Sequence, residues 1–227
     1  MSNPVLIVVG AGEGVGRATA RRFAAAGYDV GLIARDQERV EALAKGLSSQ
    51  GAQVGWGVAD AGDPGSLSSA LEQITARTER VDVLLYNVST FRPASSLETS
   101  AEELLADLHQ GTAGLLTAVQ TILPVLREQR TGTILATGSG SADRPFRGGA
   151  SLGVQKAALR ALIQALAADL KPEGVHVATV TVNGNIKEGT ALAPGAIADL
   201  YWELVMETAG EPDAWRTVVP LGGRTNG

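Results

Sequence analysis

The sequence contains no cysteine, only two histidines, and three each of Trp, Tyr and Phe. Without cysteine there is no disulfide framework, no thiolate metal site and no thiol nucleophile. His109 and His176 alone are too few for a histidine-rich centre, so no metal site is expected. Positive charge is also short: 19 Lys and Arg stand against 24 Asp and Glu, a net charge of -5. That balance argues against a nucleic-acid partner, because gripping phosphates needs clustered basic residues. No apolar run approaches the ~20 residues of a membrane helix. Met1-Ser2-Asn3-Pro4 carries no basic stretch and leads directly into Val5-Leu6-Ile7-Val8-Val9. No signal peptide is therefore expected, and the expected location is cytoplasmic.

What is present is a chain of 227 residues, 44% hydrophobic, enough to fill one core. Near-continuous apolar runs predict strands at Val5–Val9, Asp29–Ala34, Val54–Val58, Val81–Tyr86, Thr133–Thr137 and His176–Val182. Helical patterns lie between them, at Val15–Ala26, Glu38–Leu47, Pro64–Arg77, Ala101–Arg127 and Leu152–Leu170. Asp63-Pro64 and the pair Ser100/Glu103 are helix-start signals. This alternation predicts a single α/β domain of Rossmann type, a doubly wound parallel sheet with helices on both faces. After Val182 the pattern weakens. Asn183–Thr190 reads as loop and Ala193–Ala209 as one or two helices, so residues 187–216 are expected to cover the substrate side. The tail Gly222–Gly227 is expected to fray.

The first strand runs into Gly10-Ala11-Gly12-Glu13-Gly14-Val15-Gly16 and then a helix. A tight strand-to-helix turn needs positive φ, and a pyrophosphate must reach the backbone with no Cβ in the way. The helix N-terminus then supplies free N–H donors. In a complete βαβ unit this loop predicts dinucleotide binding through Gly10, Gly12, Glu13, Gly14, Val15 and Gly16. The second strand ends Ala34-Arg35-Asp36. An acid at its tip suits the ribose hydroxyls of NAD, whereas Arg35 would receive the 2′-phosphate of NADP. Glu13 pulls the other way, because a carboxylate near that phosphate costs Coulomb energy. The blander reading makes Arg35 a solvated surface charge. NADP is favoured, with NAD as the alternative.

Over nearly its whole length the chain resembles the short-chain dehydrogenase/reductase family. Gly10, Gly14 and Gly16 fit that family's G-x-x-x-G-x-G loop. The resemblance makes Asp60 the acid at the adenine amino group and Asn87 the start of the N-A-G turn, here with Val88-Ser89. It makes Ser139 the catalytic serine and Lys156 the lysine of Y-x-x-x-K, a residue that also holds the nicotinamide ribose. Asn183-Gly184-Asn185-Ile186 resembles the nicotinamide-side loop, with Asn183 in place of proline, which places Gly184 and Ile186 at the cofactor. Some subgroups with a degenerate motif end their sixth strand in a similar Asn-Gly or Asp-Gly turn.

The implied proton-transfer group is broken. Four residues before Lys156 stands Leu152, where the family has its tyrosine, and the tetrad's asparagine is replaced by Gly111. Positions 152 and 156 share a helix face, which is how the ammonium lowers a phenol's pKa, but leucine has no proton to give. Possible stand-ins are Ser151, Tyr86, Tyr201 and His109. For each, a packing or hydrogen-bonding role is the stronger expectation. Tyr28 belongs to the opposite end of the sheet.

The loop 141–149, between Ser139 and the Lys156 helix, is expected to border the substrate space, and it carries Arg144 and Arg147. They would attract an anion or are simply solvated. The Leu152–Leu170 helix is apolar on more than one face, which fits a homodimer or homotetramer. Two readings follow. One is an NAD(P)-dependent oxidoreductase acting on a small carbonyl or alcohol with altered proton transfer. The other is a non-catalytic NADP(H)-binding sensor or scaffold subunit.

Overall fold

The computed structural model describes residues 3–223. Strands β1 (Val5–Val9), β2 (Asp29–Ala34), β3 (Val54–Val58), β4 (Val83–Tyr86), β5 (Gly132–Ser139), β6 (Val175–Val182) and β7 (Val218–Leu221) form one sheet. All pairings are parallel, in the order β3-β2-β1-β4-β5-β6-β7. The first six strands are the apolar runs of the sequence. β7 carries no such signal, being four residues long with Pro220 inside it. It is an edge strand, where a missing N–H can be tolerated.

Helices α1 (Val15–Ala24), α2 (Gln37–Ser48), α3 (Pro64–Thr78), α4 (Ala101–Leu108), α5 (Gly114–Gln129), α6 (Ala150–Leu170) and α7 (Pro194–Glu207) cover both faces. The pleat of β1 divides the two cores. Val5, Ile7 and Val9 pack with residues of α3, α5 and α6, while Leu6 and Val8 pack with those of α1, α2 and α7. Each such fully buried aliphatic side chain contributes about 2 kcal/mol. The expected caps form: Asp63 accepts the amides of Gly65 and Ser66, and Ser100 and Glu103 make a reciprocal capping box.

Two features go beyond the sequence expectations. The helix expected over Ala101–Arg127 runs without a break but contains a π turn at His109–Ala113, between α4 and α5. Within it the Tyr86 hydroxyl donates to the Gln110 carbonyl, and side-chain intrusion into the backbone ladder is a cause of such bulges. The second concerns residues 187–216. Its helix, α7, is a layer of the fold, with Ile197, Tyr201 and Leu204 buried in the α1-side core. Nearby Phe23, Tyr28 and Trp202 meet edge to face, and Arg22 lies 4.3 Å over Trp202. His176 ties β6 to this layer, its ring nitrogens facing the carbonyls of Leu204 at 3.1 Å and Arg216 at 2.9 Å. The expected frayed tail lies, from residue 224 on, outside the described residues. Among the described residues no helix is long and apolar enough to cross a membrane.

Candidate active site

Strand order reverses between β1 and β4, and open α/β sheets bind ligands at the carboxyl ends of strands at such a point. Gly10 leaves β1 with φ +87°, and a β-carbon on it would stand 2.6 Å from the Asn87 carbonyl oxygen. One on Gly16 would stand 2.7 Å from the Gly10 oxygen. The protein's own packing therefore demands these two glycines. It does not demand Gly12 or Gly14, where a β-carbon would meet nothing within 4 Å. Their bareness leaves open space beside the start of α1, whose first turn has no side-chain cap. By contrast α2, α3 and α4 are capped by Asp36, Asp63 and Ser100. Uncapped amides at a helix N-terminus, approached over bare backbone, suit a diphosphate. Val15 anchors that helix start in the core.

The groove continues as a hollow of about 230 Å³ lined by Gly10, Gly12, Arg35, Asp36, Arg39 and Asn87 among others. Asp36 is fully engaged: Oδ1 accepts the Arg39 amide at 3.1 Å and Oδ2 pairs with Arg39 Nε at 3.0 Å. Arg35 has no ion-pair partner among the described residues. The Glu13 carboxylate is committed to Arg17 at 2.5 Å and lines a different hollow, beside Pro194 of α7. Asp60 accepts the Gly62 amide at 2.8 Å and borders a third hollow with His109 and Gln110.

At the other end, Asn87 Nδ2 donates to the Gly10 carbonyl at 3.0 Å, pinning the glycine loop to β4. Its Oδ1 accepts the Thr137 hydroxyl at 2.7 Å, and Thr137 in turn accepts from the Tyr201 hydroxyl at 2.7 Å. Lys156, buried on α6, donates to the carbonyls of Thr137 at 2.8 Å and Val88 at 3.2 Å. An ammonium has three donors, so one remains for a ligand. Burial pulls the Lys156 pKa down to about 8. Ser139 Oγ accepts from the Ser141 amide at 3.2 Å and the Ser141 hydroxyl at 2.8 Å, which leaves its own proton to donate. It opens onto a cleft of about 1280 Å³ shared with Leu152, Asn183 and Gly184.

A family model described as short chain dehydrogenase matches residues 4–192. The chain belongs to the short-chain dehydrogenase family. It is 31% identical to sulfoacetaldehyde reductase 2 of Chromohalobacter salexigens over 225 residues, covering 96% of this chain and 82% of that one. It is 28% identical to an uncharacterized oxidoreductase, Lmo0432, of Listeria monocytogenes over 184 residues, 80% and 73% of the two chains. In fold it is similar to a metagenomic short-chain oxidoreductase solved in complex with NADP, with a TM-score of 0.84 and 22% identity over 98% and 99% of the chains. Levodione reductase gives a TM-score of 0.87 at 21% identity, over 98% and 97%.

Against the family's pattern, Leu152 lines the cleft with Ser139 and offers no proton. Gly111 is filled from outside: the buried Gln155 presses its carboxamide onto it, with Cδ only 2.9 Å from where a β-carbon would stand. That amide also bridges both backbone groups of Thr90, at 3.1 and 2.9 Å. None of the stand-ins lines the cleft with Ser139 and Leu152. Tyr86 and Tyr201 are fully buried, and burial raises both pKa values. Tyr28 lies in the ring cluster under α7. His109 sits with Asp60 in the third hollow. Ser151 is buried and donates to Asp107 at 2.6 Å.

Gly184 reaches the cleft with Asn185, whereas Ile186 is exposed on the loop beyond. Arg144 lines the cleft too. Arg160 of α6, also there, is held in a two-point pair by Asp143 at 2.6 and 2.9 Å. Ser141 and Phe146 belong to the loop expected to border the substrate space, and both line the cleft, whereas sequence reasoning misses Gln155 and Phe91, because nothing in their spacing distinguishes them from packing residues.

Proposed function

We propose that this chain is an NADP-preferring oxidoreductase acting on a carbonyl or alcohol substrate, with proton transfer altered by the loss of the tyrosine. Its relatives support an oxidoreductase, and the glycine cradle supports a nicotinamide dinucleotide: Gly12 and Gly14 are bare although no packing contact requires it. Gly10, Gly12 and Gly14 with the start of α1 would hold the diphosphate, Asp60 the adenine and Lys156 the nicotinamide ribose. The cofactor supplies the hydride when bound. Arg35 is the group for a 2′-phosphate, because Asp36 is already engaged and Glu13 is neutralised by Arg17. Ser139 donates a hydrogen bond to the substrate oxygen and polarises it. With Leu152 in place of a phenol, the proton for that oxygen comes from water through the open cleft. Losing a positioned acid costs ~10²–10⁴ in rate and leaves the rest of the acceleration in place.

The single observation carrying this reading is the groove of bare glycines at the start of α1, next to a cleft in which Ser139 and Leu152 lie together. Leu152 also favours the second reading, a non-catalytic NADP(H)-binding subunit. Calorimetric titration with NADPH and NADH, followed by a carbonyl panel, separates them. We expect NADPH to bind about tenfold or more tightly than NADH, as charge-assisted phosphate contacts do. Absence of binding by either at millimolar concentration would overturn both readings. Slow turnover abolished in Ser139→Ala supports the enzyme; binding with no turnover of any carbonyl leaves the binding subunit. The apolar surface of α6 supports assembly into a homo-oligomer, with Val154 exposed on it.

A further inference from the structure

We propose that Phe91 and Phe146 form an aromatic clamp that selects substrates with a flat apolar ring next to the reacting oxygen. This rests on the reading of the cleft as the substrate site and names what that site takes. Phe91 lies on the β4–α4 connection and Phe146 on the β5–α6 connection. Both line the cleft that holds Ser139 and Leu152, and they are 58% and 49% exposed. Their rings are nearly parallel, 29° apart, with centroids separated by 6.4 Å. Contiguous exposed apolar surface rimmed by polar residues marks an interaction site, and a pair of aromatic faces favours stacking with a third ring.

The loops that carry the rings are held in place. Ala94 and Gly149 form a parallel bridge that links the two loops. The Phe146 ring lies so close over Gly149 that a β-carbon there would stand 2.6 Å from its Cε2. Phe91 is fixed from both sides along the chain. Before it, Thr90 is bridged by the Gln155 amide. After it, the Arg92 guanidinium bonds Glu103 at 3.0 Å and the buried Asp107 at 3.3 Å. A side chain whose neighbours are pinned to α4 and α6 meets a ligand with little ordering left to do.

The rest of the cleft divides by polarity. Leu152, Val218 and Pro220 extend the apolar lining, and Leu152 does so at the position where a phenol would be polar. Ser139, Asn183 and Asn185 supply the polar lining. A ketone or secondary alcohol bearing an aromatic or similarly flat ring matches both halves.

The test uses two ketones of similar bulk, 2-acetylnaphthalene, which is flat, and 1-adamantyl methyl ketone, which is not. Each is titrated by calorimetry into the full-length protein saturated with NADP⁺, where ketone and oxidised cofactor cannot react, and into the cofactor-free protein. The naphthyl ketone is expected to bind about fivefold or more tightly, the scale of an aromatic contact beyond simple burial. Phe91→Ala and Phe146→Ala are each expected to weaken it about tenfold while NADP⁺ affinity is unchanged. Phe146→Leu, which keeps apolar volume, is expected to erase only the preference for the flat ketone. Equal affinities in the wild type, no naphthyl ketone binding at millimolar concentration, or an unchanged affinity in both alanine variants overturns the clamp. Ring-selective binding without any NADP⁺ binding supports the clamp and overturns the cofactor reading.

Discussion

The side-chain amide of Gln155 fills the space in front of Gly111, leaving no room there for a β-carbon. Both residues are buried, and the amide is fixed by Thr90 and by Ser151 at 3.1 Å. The two positions are therefore one packing unit across the π turn and α6. Gly111→Asn alone is expected to destabilise the protein by about 1–3 kcal/mol, the range for overpacking a core. Adding Gln155→Ser opens the space, so the double variant should be more stable than the sum of the two single effects by about 1 kcal/mol or more. Urea unfolding of the four proteins measures this coupling. Strict additivity would show that the two side chains do not compete for one volume.

Leu152 is a different kind of departure, because it faces the cleft and is only half-buried. A tyrosine there would place its ring in open space, one helical turn from Lys156 and beside Ser139. The nearby ammonium would favour the ionised phenol and bring its pKa towards working pH. Leu152→Tyr is therefore expected to raise single-turnover carbonyl reduction with NADPH by ~10²–10⁴. The gain should require Lys156, so the same change in a Lys156→Ala background should give little. No gain in either background would mean that the Gln155–Gly111 arrangement has moved more than one residue out of place.

The fold was legible because strands buried on both faces read as near-continuous apolar runs, and the five inner strands are largely buried, while β3, at one edge, is only half-buried. β7 was not, since an edge strand of four residues needs no such run. The π turn was hidden for another reason: the helical period of 101–127 continues through it, and the hydroxyl that bonds its Gln110 carbonyl belongs to Tyr86, far away in sequence. In the site, the glycine loop was readable from its spacing, but the division of labour within it was not. Only the packing shows that Gly10 and Gly16 serve the protein while Gly12 and Gly14 leave space. The role of Glu13 likewise turns on a local partner, Arg17, that lies one helical turn away and removes its charge from the argument about NADP.

That division gives a prediction of opposite signs. Gly16→Ala would push a methyl group against the Gly10 carbonyl at 2.7 Å, a backbone contact that cannot swing away. It should lower stability by about 1–3 kcal/mol, with cofactor affinity falling as a consequence. Gly12→Ala meets nothing in the protein, so its stability should be unchanged or slightly raised by the smaller entropy of the unfolded chain. Its NADPH affinity should nevertheless drop by about tenfold or more, since the methyl group occupies space that a diphosphate needs. Thermal unfolding with and without NADPH reads both. An unimpaired Gly12→Ala would place the diphosphate elsewhere.

Lys156 is buried as a cation held only by two carbonyls, Thr137 and Val88. In the fold its amine titrates at about 8, against 10.5 for a free lysine side chain. Below about 8 both folded and unfolded chains carry the charge, and the folded protein bears the full desolvation cost. Between about 8 and 10.5 the unfolded chain binds more protons, so this contribution to stability improves as pH rises. The gap corresponds to about 3 kcal/mol, an upper figure because the carbonyls recover part of it. Lys156→Met removes the titration but also strands those carbonyls, a cost that does not vary with pH. Its stability relative to wild type should therefore be most favourable at pH 7 and decline steadily towards pH 10. Tyr86 and Tyr201 are common to both proteins and cancel in the difference, although each destabilises the fold at high pH as the unfolded phenols ionise. Urea midpoints at four pH values test the sign directly. A difference independent of pH would mean that the amine keeps an ordinary pKa, and that enough water reaches it to solvate its charge.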